Sequence, residues 1–347
     1  MTPREALERK LDLLARGVRL TGGGGEVPVW LGPGVSVDLG LEGGPLVRVR
    51  VRGEGGPPAY ALRSRGRGSW TLSDGGWSAP AELLTRRGPS SLGKVRGRFL
   101  VLPLGVGGRE IPPSQAVVDE IRAVFQEGRA DFVRLVAGEG EAARRSLPGL
   151  VREIRNHFDT AVQVVAGPLP SSLALEWYAG GVDALAVEAH PDVPGLGELW
   201  ARAGAVFPEG TVTWHLPWDP AWAPRARALF DGSLASQVVP VVDLAALSAR
   251  DAGPLPPGTG DALAAVLAAL HEASRVRSPG LLWVQEEGDE VGPLEAAALS
   301  GEGLGLTGWV RELAGTRVGA AAARGLAHLR RRLRVREVRQ SFESAGL

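Results

Sequence analysis

Short apolar segments alternate with helical patterns along the middle of the chain, from Phe99 to Ala245. The segments are unbroken runs rich in Val, Leu and Ala, which is typical of strands buried on both faces of a parallel sheet. The predicted strands are Phe99–Gly108, Asp131–Glu141, Ala161–Pro170, Ala184–Pro191, Thr211–Pro220, Ser236–Leu244 and Gly280–Glu290. Because helical patterns follow these strands, the sequence predicts an α/β fold with a TIM-type (β/α) barrel, complete or partial.

A different pattern precedes the barrel and predicts a small β-rich N-terminal region. The chain opens with a helical stripe over residues 1–18, in which Thr2, Pro3 and Glu5 are helix start signals. Apolar and polar residues then alternate between Gly and Pro turns, which predicts an antiparallel sheet with one face in water. The predicted parts of the chain are residues 1–98, 99–300 and 301–347.

One strand of this N-terminal region carries Arg48, Arg50 and Arg52, alternating with valines. Three arginines on one face are compatible with a phosphate site. The period of two places all of them on the face opposite the valines, so we interpret them as a solvated strand face.

The composition excludes several classes of site. The chain contains no cysteine, which excludes disulfides, thiolate zinc sites and cysteine-bound iron–sulfur clusters. Lys+Arg and Asp+Glu are equal at 39 each, so the net charge gives no reason to expect nucleic acid as a partner. A local basic segment between Arg324 and Arg339 is interpreted as a helix with a solvated arginine face. Docking to an acidic partner is the next alternative, and nucleic acid ranks last.

The start of the chain does not predict a targeting or membrane segment. It is a charged amphipathic helix without an apolar signal core, and no run of about 18 apolar residues occurs in the chain. We therefore expect a cytoplasmic protein without a membrane partner.

Candidate chemistry lies at the carboxyl ends of the predicted strands, where β/α barrels place their active sites. Glu188 and His190 are two residues apart and share one face of their strand. His215 ends the next strand, and the three side chains are predicted to converge as an acid–base group or as a metal site. A structural role in a turn is the alternative for each histidine. The other polar residues at strand ends are Arg109, Glu110, Glu139, Glu141, Gln163, Asp219, Asp243, Gln285, Glu286 and Glu287.

Tryptophans lie near the same predicted edge. They are Trp214, Trp218, Trp222 and Trp283. Tryptophan suits the mouth of a binding site, where it offers a flat apolar surface and one polar group. The sequence leaves open whether these side chains line a ligand pocket or pack in the core.

Several stretches, taken in order, are similar to those of one enzyme family. They are Arg9–Leu20 (RKLDLLARGVRL), Leu135–Glu141 (LVAGEGE), Ala186–Pro191 (AVEAHP), Val238–Gly258 (VVPVVDLAALSARDAGPLPPG) and Ser341–Leu347 (SFESAGL). With the β-rich region before the predicted barrel, they resemble the radical S-adenosylmethionine (radical SAM) enzymes, in particular the nitrilase-associated branch. The resemblance implies that Gly138, Glu139 and Gly140 contact the amino group of S-adenosylmethionine.

The chain departs from that family at the cofactor. The family holds a four-iron cluster with three cysteines after the first barrel strand, whereas this chain has GVGGREIPPS at Gly105–Ser114. Without thiolates no iron–sulfur cluster can be held, so the radical reaction is not expected here. The resemblance therefore implies a divergent member for which S-adenosylmethionine remains a candidate ligand.

The sequence supports two functional hypotheses of different classes. The first is a pseudoenzyme, a non-catalytic partner or small-molecule-binding subunit of a cysteine-bearing barrel paralogue. The second is a cluster-free barrel enzyme, a lyase, isomerase or hydrolase, that uses Glu188, His190 and His215. Co-purification with such a paralogue favours the first hypothesis, and convergence of the three side chains favours the second.

Overall fold

The computed structural model describes residues 2–21, 35–41, 46–53, 60–66, 69–83, 92–96, 99–108, 110–249, 255–277 and 289–299. Their helices are α1 (Pro3–Arg16), α2 (Ser114–Gln126), α3 (Glu141–His157), α4 (Ser171–Ala179), α5 (Leu196–Val206), α6 (Ala226–Ala235), α7 (Ala245–Ala249), α8 (Thr259–Arg277) and α9 (Pro293–Leu299). Their strands are β1 (Val18–Thr21), β2 (Ser36–Leu41), β3 (Leu46–Arg52), β4 (Tyr60–Gly66), β5 (Ser69–Asp74), β6 (Trp77–Leu83), β7 (Lys94–Arg96), β8 (Phe99–Leu104), β9 (Phe132–Ala137), β10 (Val162–Ala166), β11 (Ala184–Glu188), β12 (Val212–Pro217), β13 (Val238–Asp243) and β14 (Glu290–Val291).

The first helix begins where the sequence predicts it. Thr2 caps α1 and forms a capping box with Glu5, and Pro3 occupies the first turn. These contacts satisfy main-chain N–H groups that have no partner inside the helix. The helix ends at Gly17, whose positive φ of 69° suits glycine.

The N-terminal strands form a closed barrel in the order β1-β3-β2-β6-β5-β4. The predicted β-rich N-terminal region is confirmed, but its sheet closes into a barrel and is not purely antiparallel. Most neighbours are antiparallel, but β1 runs parallel to both β3 and β4 and closes the sheet. Closure gives every edge strand a partner. The valines of β3, Val47, Val49 and Val51, are fully buried as predicted.

The second sheet has the strand order β14-β13-β12-β11-β10-β9-β8-β7. Strand β8 pairs with β9, β9 with β10, and β12 with β13, all in parallel. At the two ends of the order, β7 and β14 are short and antiparallel to their neighbours.

The predicted TIM-type (β/α) barrel, complete or partial, is wrong. The fold is instead mixed α/β, with a closed barrel of six strands and a separate sheet of eight. Within the described residues, antiparallel strands occupy both ends of the larger sheet, where a TIM barrel would continue with parallel β/α units and close on itself. The strand predicted at 280–290 falls mostly outside the described residues, and the part described as strand is β14.

The predicted strands agree with the structure from β8 to β13. Each predicted strand in this stretch contains the observed one and overshoots it into the following turn, as Asp131–Glu141 does around β9. The overshoot arises because apolar and small residues continue past the last ladder hydrogen bond. The sequence at 79–97 predicts a loop, whereas the structure has part of β6 and all of β7 there.

The described residues divide into two compact units that are interleaved along the chain. The first contains residues 2–83, 168–171 and 186–299, and the second contains residues 92–167 and 172–185, apart from the gaps given above. The domain boundaries predicted after residues 98 and 300 fall at positions outside the described residues, so they stay predictions.

No helix in the described part of the chain is both long enough and apolar enough to cross a membrane. The basic segment between Arg324 and Arg339 and the Ser341–Leu347 stretch lie outside the described residues.

Candidate active site

Ionisable side chains from distant parts of the sequence meet at the carboxyl ends of β12 and β13, within the first unit. Strand β12 alternates between two environments. Trp214 packs against Trp200 of α5, with ring centroids 4.5 Å apart. Thr213 and His215 alternate with Trp214 and therefore project from the opposite face of the strand. That face carries the polar cluster described next.

His215 is held by hydrogen bonds at both ring nitrogens. Its Nδ1 lies 2.9 Å from Oε1 of Glu290, and its Nε2 lies 3.1 Å from Oγ1 of Thr213. His215 is only 6% exposed and Glu290 only 8%, and Thr213 is also buried. A carboxylate can only accept, so we assign the ring proton to Nδ1, and Nε2 then accepts from the Thr213 hydroxyl. The arrangement is a carboxylate–imidazole pair with a basic nitrogen oriented by a hydroxyl.

Asp243 is a further acidic group of this cluster. Its pKa is raised from an ordinary 3.8 to about 6, mainly by burial and also by the nearby carboxylates of Glu290 and Asp289, while the N–H of Ala245 and the ring of His215 oppose the shift. The Asp243 carboxylate accepts that N–H at 2.7 Å. In the ladder, His215 is opposite Val241 and Pro217 is opposite Asp243. Asp243 thus lies on the same face as His215, one step nearer the strand ends.

Glu290, the first residue of β14, and Asp289, which precedes the strand, supply the acidic groups, and both are held from several sides. Glu290 is paired with Asp243 in the antiparallel ladder. The carbonyl of Asp289 accepts the N–H of Leu244 at 2.7 Å, and its carboxylate accepts Nη1 of Arg48 at 2.6 Å. Arg48 is buried. The interpretation of the β3 arginines as a solvated face is therefore wrong for Arg48.

Arg52, on the same face of β3, is half-buried and donates to the carbonyls of Ala15 and Arg16 at the end of α1. A cation suits the carboxyl end of a helix, where carbonyls are left without partners. The period of two identified the face correctly, but the face is covered by other parts of the chain.

Lys10 reaches the same region from α1. It is 0% exposed, and its Nζ donates to both carboxylate oxygens of Glu295, at 2.9 and 2.7 Å. Nζ also donates to the main-chain carbonyl of Glu290 at 2.9 Å. The three donors of the ammonium group are thus matched by three acceptors.

His190 belongs to a second group, which is exposed. Its Nδ1 lies 3.4 Å from Asp192 and its Nε2 lies 3.8 Å from Asp219. Arg225 binds Asp192 with both terminal nitrogens, at 3.0 Å each from Oδ1, and this contact lowers the pKa of Asp192. The side chain of His190 is 39% exposed. The group lies in the turns that follow β11 and β12.

The convergence of Glu188, His190 and His215 stays a prediction, because the contacts described for the two histidines lead to different partners. Glu188 ends β11 and is exposed. The contacts described for His215 lead to Glu290 and Thr213, whereas those for His190 lead to Asp192 and Asp219. Within the described residues, the ends of β12 and β13 bring Thr213, Glu290 and Asp243 together around His215.

The glycine-rich stretch lies in the second unit and has a structural explanation. Gly138 donates its N–H to Leu104 at 2.8 Å. A Cβ at Gly138 would collide with the main-chain carbonyl of Gly105. The close approach of these two segments of the chain therefore requires glycine at position 138. Gly140 is the N-cap residue of α3, and Glu139 is exposed. A role of Gly138, Glu139 and Gly140 in S-adenosylmethionine binding stays a prediction.

The tryptophans that the structure describes near this edge pack in the core. Trp214 and Trp222 are fully buried and donate Nε1 to the carbonyls of Ala189 and Pro217. Trp218 stacks edge-on against Trp222, with ring centroids 5.6 Å apart. Of the two readings left open by the sequence, these contacts favour core packing. Trp283 lies outside the described residues.

The remaining predicted strand-end residues have other surroundings. Gln163 is buried and accepts Nε of Arg134 at 2.8 Å. Glu110, Glu139 and Glu141 are exposed. The positions outside the described residues are Arg109, Gln285, Glu286 and Glu287.

Among the described residues, no group of three or more His, Asp or Glu side chains is arranged to hold a metal ion. A groove with a volume of about 620 Å³ lies elsewhere on the first unit. Its lining includes the apolar side chains of Leu7, Ala264 and Leu267. His215, Glu290 and Asp243 are not among its lining residues, so the groove and the acid–base cluster are different sites.

Sequence reasoning named His215 and Asp243 but missed their partners. Glu290 lies at the end of a predicted strand, but the sequence points to Glu286 and Glu287 as its polar end residues. In the sequence, Lys10 is one of many charged residues of an amphipathic helix, and Arg48 is one of three arginines on a strand face predicted to be solvated. The helical period does contain a signal for Lys10, because it places Lys10 on the same face as Leu7, Leu11 and Leu14, and all four residues are buried.

Comparison with known proteins gives no relative for this chain: no family model matches it, and neither does any curated protein or solved structure. The resemblance to radical SAM enzymes therefore rests on the quoted residues alone. The non-catalytic role and the cysteine-bearing paralogue that it implies stay predictions.

Proposed function

We propose that this protein is a small-molecule enzyme of the acid–base type, a lyase, isomerase or hydrolase, with His215 as the general base. The proposal keeps His215 from the sequence analysis and replaces Glu188 and His190 by Glu290 and Asp243. The observation that carries it is the 2.9 Å contact between Nδ1 of His215 and the Glu290 carboxylate in a buried setting.

The contact supports base catalysis for two reasons. With the proton on Nδ1, Nε2 carries the lone pair that accepts the Thr213 hydroxyl, and it can take a proton from a substrate once that hydroxyl hydrogen turns away. The Glu290 carboxylate then stabilises the imidazolium that forms, and it does so strongly because water is largely excluded. Thr213 fixes the orientation of Nε2 and must move its hydroxyl hydrogen when a substrate binds.

Asp243 supplies the complementary group. With a pKa of about 6, it is partly protonated near neutral pH and can donate a proton while His215 accepts one. Environments that push the pKa values of neighbouring groups apart are what assign acid and base roles in enzymes. Asp243 is also less buried than His215 and Glu290, so the substrate is expected to approach from its side.

The proposal is tested by an untargeted turnover assay. The wild-type protein, His215→Gln and His190→Gln are each incubated with small-molecule extract of the native host, and mass spectrometry follows which masses fall and rise. We expect turnover by the wild type and His190→Gln, and a loss of roughly 10²–10⁴-fold in His215→Gln, the usual contribution of a general base. Absence of turnover by the wild type, or equal loss in the two variants, would contradict the proposal.

A further inference from the structure

The acid–base pair depends on a residue that no step of the proposed chemistry uses. Strand β14, which carries Glu290, has two residues. A strand of this length has few ladder hydrogen bonds, and it cannot by itself fix a side chain to the precision that catalysis requires. Something else must determine where the Glu290 carboxylate lies.

Lys10 contacts Glu290 at the end opposite to His215. Its Nζ binds the main-chain carbonyl of Glu290 at 2.9 Å, while the carboxylate of the same residue binds Nδ1 of His215 at 2.9 Å. Glu290 is thus held at its main chain by the first helix and at its side chain by the base.

The position of Lys10 is itself fixed. The residue is fully buried, and its remaining two donors bind the Glu295 carboxylate in α9, which follows β14. A buried ammonium group with all donors used has one orientation, because every other orientation would leave one of its own donors unpaired. Lys10 therefore connects α1 rigidly to β14 and α9.

We propose that Lys10 is a positioning residue of the His215–Glu290 pair, which it serves by holding the main-chain carbonyl of Glu290. The inference rests on the proposed function for the meaning of the pair, but the positioning is measured without turnover. It makes the N-terminal helix an integral part of the site. Lys10 touches no substrate and takes no proton in the reaction.

The test follows the Nδ1 proton of His215 by ¹⁵N-edited NMR. The chain has five histidines, so the signal is assigned by its absence in His215→Gln. Glu290→Met shows the spectrum without an acceptor. The test variant is Lys10→Met/Glu295→Met, because replacing both partners of a buried ion pair by apolar residues is often neutral for stability. Arg4→Met is the matched control, since Arg4 is a cation of the same helix whose ion pairs are exposed.

We expect the Nδ1 proton of His215 to exchange faster in the double variant, on the order of tenfold or more, as local opening becomes easier. It should exchange at the wild-type rate in Arg4→Met. A folded double variant with wild-type exchange would overturn the inference.

A second measurement follows Lys10 directly. The chain has two lysines, Lys10 and Lys94, so ¹⁵N-lysine labelling gives two side-chain signals in the wild type. If Glu290 connects Lys10 to His215, the Nζ signal of Lys10 shifts in His215→Gln, and the signal of Lys94 does not. A Lys10 signal that is the same in the wild type and in His215→Gln would overturn the inference.

The two proposals fail in different ways. Coupling of Lys10 to His215 without any turnover would leave the positioning and remove the proposed enzyme. Turnover that depends on His215, without coupling to Lys10, would do the reverse.

Discussion

His215 and His190 lie at the ends of neighbouring strands, and each belongs to a group of the same residue types. The group around His215 is buried, whereas the group around His190 is exposed. His215 lies with Glu290, Asp289 and Arg48 in a cluster in which every residue is less than a tenth exposed. His190 lies with Asp192, Asp219 and Arg225, all with side chains more than a third exposed. An imidazole, carboxylates and an arginine are present in both, so residue types alone do not identify the site.

Burial decides what each group can do. Charges in water gain little from one another and are screened by salt, whereas buried charges interact strongly and must be paired. The cluster around His215 therefore has a fixed geometry and a shifted carboxyl pKa, while the group around His190 resembles the ion pairs found on most protein surfaces. Equivalent substitutions in the two groups are therefore expected to have different effects on stability.

The largest difference is expected for removal of one cation from each group. Lys10→Met removes the ammonium group that binds the buried Glu295 carboxylate, which should lower the free energy of unfolding by about 3–5 kcal/mol. Arg225→Met should lower the urea midpoint only slightly, because the carboxylate of its partner Asp192 is exposed. Urea unfolding at neutral pH measures both. Equal midpoints for the two variants would remove the distinction.

The next difference concerns pH and Asp243. Since its folded pKa of about 6 exceeds the ordinary 3.8, the folded state favours the protonated form, and stability from this group is lost as pH rises through about 6. Asp243→Asn should therefore raise the free energy of unfolding at pH 8 by about 3 kcal/mol, at 1.36 kcal/mol per pKa unit, and should change it little near pH 3.

That pH profile is measured by urea unfolding of the wild type and Asp243→Asn at a series of pH values. A gain that is the same at all pH values would point to packing rather than ionisation. A loss at pH 8 would contradict the raised pKa of Asp243.

The smallest effect, with the opposite sign, is expected for Asp192. The pKa of Asp192 is lowered by its contact with Arg225, so its contribution is present above the unfolded pKa and is lost as pH falls. Asp192→Asn should therefore lower the thermal midpoint slightly at pH 7, less so in 1 M salt, because exposed charges are screened. The shift caused by Asp243→Asn should be much less sensitive to salt. A salt-independent effect at Asp192 would indicate that this group, too, is buried in solution.

The sequence predicted local elements well because their causes are local. The capping box at Thr2 and Glu5 and the apolar run of β12 are determined by neighbours in the chain, and the structure contains both. The same runs were compatible with a closed TIM barrel and with the observed sheet, because strand patterns do not show how the ends of a sheet are completed. Asp243 was found as a polar residue at the end of a buried strand.

The partners of the site could not be predicted because they are separated by long stretches of chain. Lys10 meets Glu295 across 285 positions, and Arg48 meets Asp289 across 241. In the local sequence, Lys10 looks like a residue of a helix surface and Arg48 like a residue of a solvated strand face. Only the fold shows that other parts of the chain cover both side chains.

The central claim is that Glu290 orients a buried His215 with its proton on Nδ1, and one NMR experiment tests it most directly. Spectra of the imidazole nitrogens are recorded for the wild type, Glu290→Met and His190→Gln. We predict a slowly exchanging Nδ1 proton for His215 in the wild type and His190→Gln, and its loss in Glu290→Met. A His215 ring protonated on Nε2 alone, or an Nδ1 proton that survives in Glu290→Met, would contradict the account.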